Sequence, residues 1–195
     1  MKKKLIVISG PSGVGKRTVV QAMLDQSDQF LVSVSATTRS PRPGEIDGVD
    51  YYFLTTEAFE KKIRDHTLVE WAKVHGQYYG TPAENLEKAE RLHRHLVLEI
   101  DVQGGMAIKQ AYQEKALLIF LLPPMFDDLL KRLRIRGTES ESEMEKRMAT
   151  AKLEMQYANE YDYKVINDEV ARAASEILLI VDRNERRVWY EKRHR

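Results

Sequence analysis

No cysteine occurs anywhere in the 195 residues, which excludes disulfides, thiolate metal sites and a cysteine nucleophile at once. An excess of one charge is also missing: 31 Lys and Arg against 30 Asp and Glu leave a formal net charge of +1. No global field therefore marks the chain as a binder of nucleic acid or membranes, and any site for a polyanion must be local. Long hydrophobic runs are absent too. Leu5 to Ile8, after Met1-Lys2-Lys3-Lys4, is too short for a secretion signal, and no other stretch approaches a membrane span. The expected compartment is the cytoplasm. The five histidines (His66, His75, His93, His95 and His194) show no metal-ligand spacing and read as surface or packing residues. Neither an internal repeat nor a low-complexity linker is visible, and the basic tail 186–195 reads as a solvated terminus.

What is present fits an ordinary globular domain, with 43% hydrophobic and 31% charged residues. Leu5 to Ile8 reads as a buried parallel strand, and Val19, Val20, Met23 and Leu24 as a helix face. Phe30, Val32 and Val34 alternate like a second strand. After a loop-rich stretch, Tyr51 to Leu54 and Leu68 to Trp71 read as strands around a helix from Thr56 to Asp65. Thr81 is placed to cap a helix with Pro82 in its first turn. Leu96 to Ile100 is a strand ending at Asp101, followed by a helix from Gly104 to Gln113 and a strand from Ala116 to Leu122. Asp127 and Asp128 open a helix stopping at Gly137, and a long helix then reaches Asn159. Val165-Ile166 is a last strand, before a helix with Val170, Ala173, Ala174, Ile177, Leu178 and Val181 on its face. Such alternation predicts an α/β fold, a parallel sheet flanked by helices.

The first chemical signal lies between the first strand and the first helix. Gly10-Pro11-Ser12-Gly13-Val14-Gly15-Lys16 fits the first seven places of G-x-x-x-x-G-K-[ST]. Glycines let backbone N–H groups converge on phosphate oxygens, the helix N-terminus adds positive potential, and Lys16 neutralises the β and γ phosphates. One place departs from the pattern: Arg17 stands where a hydroxyl would ligate Mg²⁺, with Thr18 next. Two readings stand open for Arg17, a surface side chain in the first helical turn or a cation crowding the metal site. The metal ligands stay unassigned.

The second signal is a long motif. Ser35-Ala36-Thr37-Thr38-Arg39-Ser40-Pro41-Arg42-Pro43-Gly44-Glu45, with Asp47-Gly48-Val49-Asp50-Tyr51-Tyr52-Phe53, closely resembles the signature of guanylate kinases. The likeness continues through Glu70-Trp71, Tyr78-Tyr79-Gly80-Thr81, Glu99 to Gly104, Arg132 to Thr138, Arg147 and Asn167-Asp168. It implies a P-loop nucleoside monophosphate kinase with a five-stranded parallel core flanked by helices. The core would comprise 1–34, 82–125 and 150–195, the GMP-binding lobe 35–81 and the lid 126–149. The implied reaction moves the γ-phosphate of ATP to GMP with Mg²⁺, giving ADP and GDP in purine nucleotide metabolism and salvage. ATP and GMP are the implied partners, with dGMP as a further acceptor.

By this resemblance Arg39, Arg42, Tyr51 and Tyr79 hold the GMP phosphate, as arginine forks and phenol donors also suggest unaided. Glu70 selects the base: guanine offers N1–H and an exocyclic amine to one carboxylate, whereas adenine presents an acceptor at N1. Ser35, Gly80, Thr81 and Asp101 resemble the remaining guanine-site residues, with Glu99 on the same side as Asp101. Asp101 touches GMP, orients metal-bound waters, or does both. The loop from Gly10 to Thr18 together with Arg132, Arg136 and Asn167 would bind ATP. Lys16, Arg39, Asp101, Arg136 and Arg147 would serve the transfer itself. Two other classes compete. A guanylate-kinase-like scaffold module would have an eroded phosphate loop, yet Lys16 and its glycines are intact. A P-loop kinase for a ribose phosphate would not need Glu70, Ser35, Thr81 and the Tyr51/Tyr79 pair.

Overall fold

The structure, a computed structural model, describes residues 5–74, 76–129 and 141–193. At its centre is β1 (Leu5–Ser9), every residue of which is buried. Successive side chains of a strand point to opposite faces, and β1 therefore feeds two cores. Ile6 and Ile8 pack into one with Val19, Met23 and Ile177, while Leu5 and Val7 pack into the other with Ile108 and Phe120. A strand apolar on both faces needs helices on both sides. Those are α1 (Lys16–Gln26) and α6 (Val170–Arg193) on the first face, and α4 (Val102–Tyr112) on the second.

Five strands form the core sheet in the order β2 (Phe30–Val32), β7 (His95–Glu99), β1, β8 (Ala116–Leu122), β9 (Tyr163–Ile166), and every pair is parallel. The five-stranded parallel core is thus as the sequence predicts. Because the chain passes from β1 to one side and later returns on the other, a crevice opens at the carboxyl ends beside β1, the place where open α/β sheets bind ligands.

A second sheet is built between β2 and α3 (Ala83–Arg91). Its strand order is β4 (Tyr52–Phe53), β3 (Ala36–Thr37), β6 (Gln77–Pro82), β5 (Leu68–Val74), with β3 and β5 antiparallel to β6. Helix α2 (Thr56–Arg64) crosses it with Phe59 fully buried and stacked on Tyr78 at 5.2 Å. The Thr55 hydroxyl caps this helix by accepting from Ala58 N.

Several element boundaries differ from the sequence reading. The second strand stops at Val32 rather than running to Val34: Ser33 N still bonds Val97 O of β7, but the Asn85 amide takes Val34 O and Ala36 joins the other sheet. Thr81 does not cap α3. It lies in β6, Pro82 is the cap residue, and the Thr81 hydroxyl is turned to Glu70. Helix α4 begins at Val102, not Gly104, since Asp101 caps it through Gly104 N at 2.9 Å. The long helix expected to reach Asn159 is α5 (Glu141–Gln156), which tightens to a 3₁₀ turn over Tyr157–Glu160. The packing role read for His95 holds. It is fully buried, stacks on Phe30 at 5.5 Å and lies 3.0 Å from Glu185 of α6.

Gly105 marks the tightest approach in the second core. A Cβ there would overlap the Tyr161 hydroxyl, whose ring is held edge-on to Phe120 at 5.1 Å. Alanine in a helix is ordinarily favoured over glycine by about 1 kcal/mol. Gly105→Ala should nevertheless lower stability by about 1–3 kcal/mol, read as a fall in thermal midpoint, and adding Tyr161→Phe should recover part of the loss.

Candidate active site

Between β1 and α1 the chain closes a loop whose geometry follows from its glycines. Gly15 precedes α1 with φ +94°, a left-handed conformation costly for any residue with a Cβ. A Cβ at Gly15 would also sit 2.7 Å from Asn167 Nδ2. No side chain caps α1, so its N-terminal N–H groups and partial positive charge point into the loop's concavity. The Lys16 ammonium donates to Gly10 O at 2.7 Å and to Pro11 O at 3.4 Å, folded over that concavity.

Two residues brace the loop from behind. Asn167, 2% exposed at the end of β9, donates its amide to Val14 O at 2.7 Å. Ser9, the last residue of β1, donates to Ile100 O at 2.9 Å and joins the loop's root to the end of β7. A third contact comes from α5, where Glu154 Oε2 accepts from Ser12 N at 3.1 Å. Arg147 is also on α5 and half-buried, while Arg132 and Arg136 lie outside the described residues.

The second sheet carries the remaining groups. Glu70 is on β5, an edge strand, yet only 7% exposed. Its burial comes less from the flanking Trp71, which is itself exposed, than from α4. Gly104 there leaves room for the carboxylate, since a Cβ on it would lie 2.8 Å from Glu70 Oε2. Thr81 donates to Glu70 Oε1 at 2.8 Å. Burial pushes the Glu70 carboxyl up to about 7, the Asp101 charge adds to the rise, and the Thr81 hydrogen bond opposes it. Glu70, Thr81, Gly104 and Asp101 thus share one small polar niche. Ser35, in the link between β2 and β3, accepts at its backbone carbonyl from Tyr52 N at 2.9 Å.

Arg39 follows β3, and its guanidinium lies over the Tyr51 ring at 5.4 Å and the Phe53 ring at 5.7 Å. It donates to Glu45 Oε1 at 2.8 Å, while Glu45 Oε2 accepts from Arg42 N at 2.7 Å. Burial alone would lower the Arg39 guanidinium, but hydrogen bonding and charge from Glu45 outweigh it and leave the group raised. Tyr79 on β6 meets Tyr51 edge-on at 6.2 Å. Arg42 is exposed on the loop between them.

Glu99, at the end of β7, ties the halves together electrostatically. Burial raises its carboxyl, and Lys16 and Arg17 pull it back. Burial also raises the Tyr51 phenol, with the Glu99 charge contributing. One half-buried carboxylate thus lies in the field of both the phosphate loop and the second sheet, two parts that the Arg17–Asp50 ion pair joins directly. Arg17 fits the first of its two sequence readings, a surface side chain in the first turn of α1, and the structure adds a partner to it. Its side chain is 61% exposed, yet it is ion-paired at 2.6 Å to Asp50 of the second sheet's loop.

The structure therefore brings together the loop from Gly10 to Thr18, Asn167, Glu99, Asp101, Ser35, Arg39, Tyr51, Glu70, Tyr79, Gly80 and Thr81 around the carboxyl edge of β1 and β7. Sequence reasoning missed Glu154, Asp50 and the space-making role of Gly104. Glu154 is one of many surface-type glutamates and carries no local signal. Gly104 could have been found as a glycine in the first turn of a helix, a place of poor propensity.

Comparison with known proteins agrees with this geometry. A family model described as guanylate kinase matches residues 2–183. The chain is 47% identical to a guanylate kinase of Desulfitobacterium hafniense (strain Y51), over 91% of this chain and 88% of that one. It is 48% identical to a guanylate kinase of Bacillus subtilis (strain 168), over 91% and 87% of the two chains. Among solved structures, a guanylate kinase from Anaplasma phagocytophilum superposes with a TM-score of 0.78 at 31% identity, covering 92% of this chain and 85% of that one. A gluconokinase from Sinorhizobium meliloti 1021, 14% identical with a TM-score of 0.52 over 97% of this chain and 98% of that one, shares the fold alone. The chain belongs to the guanylate kinase family, the P-loop kinases that transfer the γ-phosphate of ATP to GMP.

Proposed function

We propose that the residues gathered at the carboxyl edge of the sheet divide this transfer between an ATP cradle and a GMP niche. The observation that carries the division is the buried Glu70 carboxylate, hydrogen-bonded by Thr81 and set beside Asp101. Guanine N1–H and the exocyclic amine satisfy that carboxylate, and adenine leaves it facing an acceptor. Ser35, Gly80 and Thr81 complete the base site. Arg39, Arg42, Tyr51 and Tyr79 take the GMP phosphate, and dGMP fits the same contacts.

The loop from Gly10 to Thr18 holds the ATP phosphates, with Lys16 over the β and γ groups. Asn167 fixes the loop's shape and borders the adenine. The family resemblance assigns the lid role to segment 126–149 and the ATP phosphates to its Arg132, Arg136 and Arg147, of which Arg147 lies among the described residues. A GMP phosphate oxygen, already anionic, attacks the γ-phosphorus in line: one P–O bond forms as the bond to the β-phosphate oxygen breaks. No nucleophilic side chain is required. Catalysis is alignment plus neutralisation of charge on the transferring group, supplied by Lys16, Arg39, Arg136 and Arg147.

Magnesium enters on ATP as part of the substrate. Among the described residues no three His, Cys, Asp or Glu side chains gather as a resident metal site. That suits an ion that keeps several waters and draws on one or two carboxylates. Glu99 at the end of β7 and Asp101 just beyond it are carboxylates at this edge that would hold it. Bound together with ATP, such an ion would offset negative charge on the phosphates. No helix among the described residues is long and apolar enough to cross a membrane, and we place the reaction in the cytoplasm.

Glu70→Gln keeps the volume but aims an amide at one guanine donor, and should raise KM for GMP roughly 10- to 100-fold with KM for ATP nearly unchanged; equal effects on both substrates would remove Glu70 from the base site. The ionised carboxylate is the accepting form and its pKa is raised to about 7. Below that pH, kcat/KM for GMP should fall about tenfold per unit as Glu70 takes a proton, and above it level off. This limb should flatten in Glu70→Gln, leaving the smaller contribution of the substrate's own phosphate. Lys16→Ala should abolish transfer while the thermal midpoint stays within a few degrees of the parent.

A further inference from the structure

Arg17 breaks two local rules. It replaces the hydroxyl expected after the phosphate-loop lysine, and it puts a cation in the first turn of α1, where the helix dipole disfavours one and no acidic residue offsets it. Rules broken together at a functional edge point to a compensating contact. That contact is Asp50, on the other sheet's loop, 2.6 Å away and with only 16% of its side chain exposed.

Asp50 is not a loose surface acid. Its Oδ2 accepts from Ile46 N at 2.7 Å while Oδ1 takes Arg17. Its own N–H goes to Ile46 O at 2.9 Å, and Gly48 N closes the same turn on Tyr51 O at 2.8 Å. The next residue is Tyr51, whose ring lies under the Arg39 guanidinium and meets Tyr79 edge-on. A chain of short contacts therefore leads from the ATP loop to the phenol that receives the GMP phosphate: Arg17, Asp50, the turn 46–51, Tyr51.

We infer that Arg17 is a positioning residue for the acceptor, a strap that holds the turn carrying Tyr51 in register with the phosphate loop through Asp50. The strap rests on the phosphotransfer reading above, and it deepens it. It connects the phosphate loop to the second sheet's loop, so the hydroxyl expected after Lys16 is exchanged for a link between the two cradles.

A double-mutant cycle on the full chain tests this. Asp50→Asn keeps an oxygen for Ile46 N and replaces the charged acceptor that takes Arg17 with an amide NH2; Arg17→Gln drops the guanidinium. Each should raise KM for GMP about three- to fivefold, the size an ion pair with one exposed partner supports, with a smaller change in kcat. The double variant should match either single one. Because the contact is one nitrogen to one oxygen, Arg17→Lys should return KM to within about twofold of the parent. Effects that multiply in the double variant, or a lysine variant as impaired as Arg17→Gln, would overturn the strap. A parent enzyme that turns over GMP while the cycle shows no coupling sinks this inference alone; a parent that does not phosphorylate GMP sinks the functional reading beneath it.

Discussion

Bringing two phosphate anions to bonding distance is the constraint on which the rest of this structure depends. Each pair of unit charges at 4 Å repels by about 4 kcal/mol near a protein surface, and a triphosphate facing a monophosphate presents several such pairs. The fold answers with fixed positive groups on one sheet edge: the N-terminus of α1, Lys16 and Arg17 on one side, Arg39 and Arg42 on the other. Positive groups gathered this closely would repel each other, and the structure gives them partners. Arg39 sits on Glu45, Arg17 on Asp50, Lys16 on the carbonyls of Gly10 and Pro11, and the Ser12 amide on Glu154. Glu99 lies within the field of Lys16 and Arg17. Phosphate oxygens are stronger acceptors than carbonyls, and on the proposed reading substrate entry would exchange one set of partners for the other.

The niche proposed to select the base is built by the opposite device. Where the phosphate sites are rich in cations, the niche around Glu70 holds carboxylates with little positive charge nearby, and burial keeps the Glu70 proton affinity high. A carboxylate left dry is costly unless two donors reach it, and guanine is the purine whose edge supplies two adjacent donors. The same backbone economy appears in α4. Asp101 caps the helix and charges the niche, while Gly104, one turn in, leaves the volume that Glu70 occupies.

Much of this was legible in the sequence because its signals are local. The aliphatic run at Leu5 to Ile8, the glycines before Lys16 and the apolar runs at 96–98 and 116–122 specify a parallel sheet with a phosphate loop at its centre. What escaped were contacts between segments far apart in the chain. Thr81 has the residue type and position of a helix cap, but Glu70 competes for its hydroxyl from eleven residues away and wins because both are buried. The second strand ends at Val32, two residues earlier than its alternation suggests, because Ala36 and Thr37 find partners in β4 and β6. Arg17 and Asp50 are thirty-three places apart, and Ser12 and Glu154 more than a hundred, so no window of sequence could join them.

The account as a whole turns on a guanine-specific acceptor niche facing an ATP cradle. Its most direct test is the steady-state rate of ADP formation from Mg-ATP with GMP or AMP as acceptor, expressed as kcat/KM. A site whose buried Glu70 is satisfied by guanine alone predicts a preference for GMP on the order of 10⁴. Comparable values for the two purines would contradict it.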